Sequence, residues 1–532
     1  MDIKDAAEKN QMINIELSPE AGAVLDELNA AGHEAYIVGG CVRDSLLGRK
    51  PKDWDICTDA TPQQMKKCLS FSTVDTGIKH GTLTVLVPKG GEEQKKRAEE
   101  GGVEQKNGAE NEKQKSGARI PFEVTTYRID GDYKDHRRPE SVEFTGDIRG
   151  DLARRDFTVN AMAWNGEEGL MDPYGGRNDL HAKVIRCVGD PEKRFEEDAL
   201  RIMRAVRFAS QLDMKIEPET AAAMERKKAL LHDISAERIR DELVKTLCGQ
   251  GVVAAADSGR EILAEIVPEI RPMFDLDQET RYHIYDVWKH TLHAVENVCR
   301  GIDEDHAAEA NAETDAERIE AGAETQTEHG AEIRTGNDAE AVTDIETEKR
   351  IMAVAAFLHD IGKPDNKSVD ENGNGHFYKH EVLSAAITAE VMRRLKFDNL
   401  TSRTVIRLVR DHSIVFAPGT AQARRMLHKM GPEDLFRLIR LETADIKSQS
   451  PECIGVRLEN VAGFRNDVRR VIADEQCFAM KDMAVDGRDL IDAGVPQGKD
   501  IGRILKQLLQ EVVDGDLEND KAVLMDRAEK IR

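Results

Sequence analysis

Residues 36–56, YIVGGCVRDSLLGRKPKDWDI, constrain this chain more than any other stretch. The apolar run Ala35–Val38 leads directly into a glycine pair, then Arg43-Asp44, then an Asp-x-Asp. Side chains on a strand alternate faces, so a strand over 53–57 would put Asp53 and Asp55 on one side. Two adjacent carboxylates suit Mg²⁺, which usually binds through one or two carboxylates plus substrate phosphates. Gly39 and Gly40 lack a Cβ and let backbone approach a triphosphate closely. Arg43 can fork onto phosphate oxygens. A lone glycine pair is mostly a turn, and a lone Asp-x-Asp is mostly a solvated strand end. In this order, after an apolar run, they point to metal-dependent chemistry on a nucleotide phosphate.

The 532 residues allow roughly three or four domains. Hydrophobic content is 40% and aromatic content only 5%, so the cores should be mostly aliphatic and helical. No run of 18 apolar residues and no signal-peptide core is present, so a soluble, cytoplasmic chain with no membrane partner is expected. The eight cysteines are scattered without a C-x-x-C pair, which argues against a disulfide framework or a zinc ribbon. The net charge of −24 looks wrong for a nucleic-acid enzyme, because phosphate affinity needs Lys and Arg. Residues 301–349 alone carry 16 acidic and 3 basic residues, so the rest of the chain stands near −11. The positive charge that remains is bunched at Arg137-Arg138, Arg154-Arg155 and Arg201, Arg204 and Arg207. Local patches guide binding, whereas whole-chain charge mostly sets solubility.

The expected class is α+β. A mixed-sheet head should span 19–185, with helices at 19–33, 41–48 and 62–69 and strands at 35–39, 53–57, 82–87 and 122–129. Residues 89–119 are rich in Gly, Glu, Lys and Gln and read as a disordered insertion at a hairpin tip. An all-α remainder should comprise 186–270, 271–450 and 451–532, with 301–349 as a second disordered insertion.

Glu123 would share a face with Thr125 and Tyr127. It fits either a third carboxylate beside the Asp-x-Asp strand or an edge glutamate in solvent. In RRDFTVNAM (154–162), Arg155 is a candidate phosphate or ribose contact and Asp156 would orient it, while Asn160 could cap or touch the sugar. On a helix over 196–208, Asp198, Arg201, Arg204 and Arg207 fan across one half, opposite Ala199, Ile202, Met203 and Val206. Such charges are commonly a solvated face with i, i+3 pairs. Beside a transfer site, an Asp-Arg pair could instead read the Watson–Crick edge of a base.

Taken together, the motifs GG-x-x-RD, D-x-D, RRDFT-x-NAM, DP-x-GG, ED-x-x-R-x-x-R and SAERIRDEL (235–243) occur here in the order of a known family. The chain resembles the class II CCA-adding tRNA nucleotidyltransferases of the poly(A) polymerase family, over 35–248 and more loosely beyond. The resemblance implies a polymerase-beta-like nucleotidyltransferase head, then a helical neck, body and tail. It implies Mg²⁺ on Asp53 and Asp55, with Glu123 as a further catalytic carboxylate. It places nucleotide contacts on Gly40, Arg43, Arg155, Asp198, Arg201, Arg204 and Arg207. Asp198 and Arg201 would select CTP and then ATP, and 133–144 would be a flexible loop needed for the final A. The implied substrates are tRNA, CTP and ATP, and no protein partner is expected. The related poly(A) polymerases carry an Arg-rich stretch where this chain reads DTGIKHGTLTV (75–85), which favours CCA addition.

Further on, WKHTLHAV (288–295), AAFLHDIGKP (355–364), HFYKHE (376–381), VRDHS (409–413) and ETADIKSQS (442–450) resemble the HD-domain phosphohydrolases. That resemblance implies metal ligands at His290, His359, Asp360 and Asp445, and a possible second metal at His380 and His412, with Lys363 near a phosphate. Imidazole plus carboxylate suits Mn, Fe, Ni, Co or Zn, so the identity of this second divalent metal stays open. Two rivals stand beside CCA addition. One is a poly(A) polymerase or a partial, CC- or A-adding enzyme. The other is an HD phosphohydrolase whose transferase-like half only binds RNA.

Overall fold

A computed structural model describes residues 13–89, 119–131, 141–323, 337–474 and 479–532. The chain forms two compact units, Met1–Ile239 and Arg240–Arg532. No helix among the described residues is long and apolar enough to cross a membrane.

The described residues of the first unit include eleven short strands: β1 (Ala35–Val38), β2 (Asp55–Thr58), β3 (Ser72–Gly77), β4 (Thr82–Pro88), β5 (Arg119–Thr126), β6 (Arg128–Asp130), β7 (Val142–Phe144), β8 (Ala163–Asn165), β9 (Gly169–Met171), β10 (Val184–Ile185) and β11 (Lys215–Ile216), the last of which pairs with β10 and lies in a span expected to be all-helical. Seven of them form one mixed sheet, in the order β3-β4-β5-β2-β1-β8-β9. Only the β2–β5 pair in this sheet is parallel. All four residues of β1 are buried, as expected of a central strand covered on both faces. β4 and β5 alternate instead: Leu83, Val85, Phe122 and Val124 face the core, while Glu123 lies opposite Thr84 on the open face.

Several expectations need correction. β2 begins at Asp55, so Asp53 lies in the segment ahead of the strand rather than on it. Only three residues of β2 find ladder partners on β1, from Ile56 to Thr58, so Asp53 lies beyond this ladder. The strand expected over 122–129 divides at Tyr127. The Tyr127 amide donates to the Thr58 carbonyl (2.8 Å), and its ring is buried with Tyr36, Cys57 and Leu152. Tyr127 therefore does not share the open face of Glu123. Arg119 belongs to β5, where it pairs with Pro88; residues 90–118 of the first insertion lie outside the described residues. Of the segment 133–144, residues 133–140 lie outside them too, and Val142–Phe144 forms β7 against β6.

The acidic segment 301–349 differs most from expectation. Helices Val287–Ala323 and Asn337–Leu358 run into it from both sides. Ala and Glu are strong helix formers, and a charged composition does not forbid a helix that is anchored at its root. Here Ile302 is buried, Asp305 accepts from Arg440 Nη2 (3.0 Å), and Glu348 accepts from Arg437 Nε (2.8 Å). Residues 324–336 lie outside the described residues.

The second unit is helical, with helices His380–Arg394, Asn399–Asp411, Thr420–Lys447 and Gly455–Ala473 following the two just named. Its last helices, Gly487–Asp492, Lys499–Asp514 and Lys521–Ile531, close over Leu490, Ile504, Leu508, Val512 and Leu524. The expected apolar spacing of Ile501, Ile504, Leu505, Leu508 and Val512 thus forms this core, with Ile501 and Leu505 at its edge. Leu508→Ala should cost about 2–5 kcal/mol through lost transfer energy and a cavity, read as a lowered denaturation midpoint.

Candidate active site and metal centre

Gly39 turns the chain from β1 into the helix Gly40–Leu46 with φ +77°. The positive φ favours glycine here, and a Cβ would stand 2.8 Å from Arg155 Nη1, which would have to shift. Arg43 is buried on that helix. It donates from Nη1 to Asn160 Oδ1 (2.6 Å) and from Nε to Asp44 Oδ1 (2.9 Å). Arg155 donates to Asp151 Oδ2 (3.3 Å), and Arg154 donates to Asp151 Oδ1 (2.7 Å). Burial would raise the Asp151 carboxyl, but these two guanidiniums hold it below its usual range.

The parallel register sets Asp55 beside Glu123, both on the open face of the sheet. Withdrawal from water raises the Asp55 carboxyl, Arg155 opposes that shift, and Glu123 and Asp53 add to it. Three carboxylates that repel one another at a strand end are what a divalent cation relieves. The donor set and its electrostatics fit such an ion. Even so, Asp53, Asp55 and Glu123 are not among the groups whose ligand atoms already lie within 4.8 Å of one another.

Asp156 does not orient Arg155 as expected. It accepts from Arg204 Nε (2.7 Å) and Nη2 (2.5 Å). Against the burial that would raise it, Arg204 and Arg201 hold Asp156 at about 2. Asp198 is not on the arginine helix. It is extended (φ −140°) between helices Pro191–Glu197 and Leu200–Leu212, where it accepts from the Leu200 amide (3.2 Å) and from Arg238 Nη2 (3.3 Å). Arg201 is buried and bonds Glu197 Oε2 (2.7 Å) and the carbonyls of Arg194 (3.0 Å) and Arg154 (2.9 Å). The Arg201 amide donates to the Asp198 carbonyl (3.0 Å), and their side chains also engage the partners just named. Sequence reasoning passed over Phe208, whose ring lies 5.3, 5.2 and 4.2 Å from the guanidiniums of Arg43, Arg204 and Arg207. The signal was an aromatic residue following arginines spaced by three on one helix.

In the second unit, helices distant in sequence bring His290, His359, Asp360 and Asp445 together, with every ligand atom within 4.8 Å of the others. Asp360, His380 and His412 form a second such group that shares Asp360. His290 Nε2 lies 2.7 Å from Asp445 Oδ1, and His380 Nε2 lies 3.2 Å from Asp360 Oδ1. The Nδ1 atoms of His359, His380 and His412 sit 2.7, 2.8 and 2.6 Å from the carbonyls of Ala356, Phe377 and Val409. Such bonds fix the ring and leave Nε2 for a metal. His359 Nε2 and Asp360 Oδ2 are buried 3.1 Å apart. These residues fit a divalent ion. Burial would raise the Asp360 carboxyl, but His359 and Lys363 hold it well below the usual range. Lys363 Nζ reaches Asp360 Oδ2 (2.7 Å) and Gln278 Oε1 (2.8 Å). Gln278 was not foreseen, nor was Gly362, whose absent Cβ would stand 2.6 Å from the Ser384 amide nitrogen. Glu442 was also missed; burial and Asp445 raise it to about 8, against its ion pair with Arg457.

The chain matches the family models "Poly A polymerase head domain" over 35–115 and 91–186 and "HD domain" over 287–441. The CCA-adding enzyme of Limosilactobacillus fermentum is 30% identical over 524 residues, 98% of each chain. That of Lactobacillus johnsonii is 44% identical over 252 residues, 47% of this chain and 55% of that protein. The crystal structure of the Bacillus stearothermophilus CCA-adding enzyme in complex with CTP superposes with TM-score 0.59 at 25% identity, covering 97% of this chain and 99% of that one. A Thermotoga maritima CCA-adding enzyme complexed with tRNA shares the fold, with TM-score 0.52 at 19% identity over 99% of this chain and 98% of that one. Fold and site define a nucleotidyltransferase head joined to a helical portion that contains an HD domain. With a relative aligned along nearly its whole length, the chain belongs to the CCA-adding enzyme family.

Proposed function

We propose that this chain adds C, C and A to the 3′ ends of tRNA from CTP and ATP. The observation that carries the reading is the register placing Asp55 beside Glu123, with the Gly39 turn packed on Arg155. Asp53 and Asp55, with Glu123 beside them, would hold Mg²⁺, which when bound supplies charge neutralisation on the triphosphate and activation of the attacking hydroxyl. Gly40 marks the start of the helix that receives the phosphates. Arg43 and Arg155, already oriented by Asn160 and Asp151, would clamp phosphate oxygens so that the α-phosphorus stands in line with the tRNA 3′-hydroxyl. Arg204 and Arg207, packed on Phe208, would keep positive charge at the site against the leaving pyrophosphate. Asp198 and Arg201 would set base choice. In the structure their groups are tied to Arg238 and Glu197, so the base edge would have to compete for them.

A second reading concerns the HD centre. The convergence of two imidazoles and two carboxylates, with every ligand atom within 4.8 Å of the others, favours a divalent metal there, one of Mn, Fe, Ni, Co or Zn, held by His290, His359, Asp360 and Asp445. His380 and His412 would take a second ion. Such a centre suits hydrolysis of a phosphoester, with Lys363 facing the phosphate.

The decisive test incubates tRNA lacking its CCA end with the full chain, CTP and ATP, and sequences the products. Complete CCA ends are expected; A-tails, CC ends alone or no addition would overturn the reading. In the same assay Asp198→Ala or Arg201→Ala should change the CTP/ATP ratio by more than about tenfold, since a lost paired hydrogen bond to a base costs about 1.4 kcal/mol or more. An unchanged ratio with a slower rate would remove these residues from base selection.

A further inference from the structure

Three helices of the second unit, Val287–Ala323, Thr420–Lys447 and Gly455–Ala473, enclose a cavity of about 350 Å³ that contains none of the HD ligands. Arg440 and Lys447 enter it two helical turns apart, and Arg465 and Arg469 enter it one turn apart from the facing helix. Two carboxylates, Glu304 and Asp305, stand against these four cations. Asp305 is shared: it accepts from Arg440 Nη2 at 3.0 Å and lies 3.7 Å from Arg465 Nη2. Arg440 also bonds Glu348 (3.2 Å). Lys447 and Arg469 have no ion pair or hydrogen bond among the described residues and are exposed toward solvent. Loss of water lowers the Arg465 guanidinium; Asp305 opposes this, and Arg469 and Arg440 add to it. Like charges held this close, with too few carboxylates, are relieved by an anion. Planar guanidinium forks match the oxygens of a phosphate. Phe436 and Ile439 give the cavity an apolar wall, which raises the value of each ion pair formed there.

We propose that this cavity is a phosphate-binding site, in which Arg465, Arg469 and Lys447 take the oxyanion of a phosphodiester or a free phosphate. The phosphodiester source is the backbone of the RNA substrate and rests on the nucleotide-addition reading; the free source does not. Both are tested with the full chain and the variant Lys447→Gln/Arg469→Gln, whose two side chains are exposed and should leave folding intact. A second variant, Arg465→Lys, keeps the charge and loses the fork.

Binding of CCA-less tRNA is measured without nucleotide across a salt series, and pyrophosphate is titrated while the thermal midpoint is followed. For an RNA phosphate, Lys447→Gln/Arg469→Gln should shallow the log–log salt slope by roughly 1–2. It should also raise the tRNA KM about tenfold, with kcat and the CTP KM unmoved, and Arg465→Lys should fall between. For a free phosphate, the tRNA slope is unchanged, and a pyrophosphate-induced rise in midpoint seen in the parent is lost in the double variant. Equal salt slopes together with equal pyrophosphate responses overturn the proposal. A parent chain that binds tRNA with the full slope yet adds no nucleotide sinks the transfer reading alone.

Discussion

Asp55→Ala is expected to lower nucleotide addition by about a thousandfold or more, because a metal-bridged transfer loses several kcal/mol of transition-state stabilisation with its ligand. Asp55 opens the β2 strand, its backbone fixed beside Glu123 on β5 and its carboxyl crowded by Glu123 and Asp53. Asp53, ahead of the strand, is less constrained, and Asp53→Ala should cost less than Asp55→Ala. The double variant should be inactive. Affinity for CCA-less tRNA should change less than about threefold, since removing a carboxylate does not weaken contacts to RNA phosphates. The measurement is incorporation of labelled CTP, with tRNA binding in parallel. Activity within tenfold of the parent in the double variant would remove these carboxylates from the reaction.

What could be read beforehand follows from range. The apolar run at Ala35–Val38 and the β propensity of 82–87 are local patterns, and each became a strand within a residue or so. The apolar spacing near the C-terminus became a packed helix for the same reason. Asp53 failed as a strand residue because strand ends are set by ladder partners, and β1 offers only four residues. Asp198 failed as a helix residue because its side chain caps the Leu200 amide, an alternative that Asp offers backbone wherever a helix can begin. The arginine partners were beyond pattern reading: Arg43 meets Asn160 117 positions away, and Arg204 meets Asp156 48 positions back. In the acidic segment, weak apolar content was read as lack of structure, whereas Ala and Glu propensity with rooted ion pairs sustains helices. The histidines and aspartates of the HD centre were legible as residue types, but their convergence, with His290 and Asp445 155 positions apart, needed the helices in place.

Asp360→Asn should abolish binding of a divalent ion by the proposed HD centre while leaving nucleotide addition within about twofold of the parent. Asp360 is the one side chain common to both groups of converging ligands, so its exchange removes a donor from each. The amide keeps volume and one acceptor, yet it cannot balance the cation or accept from Lys363 as an anion. Lys363 is buried and would be left with neutral partners such as Gln278 Oε1 and the Phe377 ring. Breaking a buried ion pair from one side costs about 3–5 kcal/mol, so a lower thermal midpoint accompanies the loss of metal. Lys363→Met in the Asp360→Asn background removes the stranded charge and should recover part of that midpoint without recovering metal, which separates stability from binding. Metal content by elemental analysis gives the first readout, the midpoint the second, and hydrolysis of a 2′,3′-cyclic nucleotide the third. Asp360→Asn protein that retains a full equivalent of tightly held metal would show that the ion, if any, sits elsewhere, and the converging histidines would then be a packed polar core.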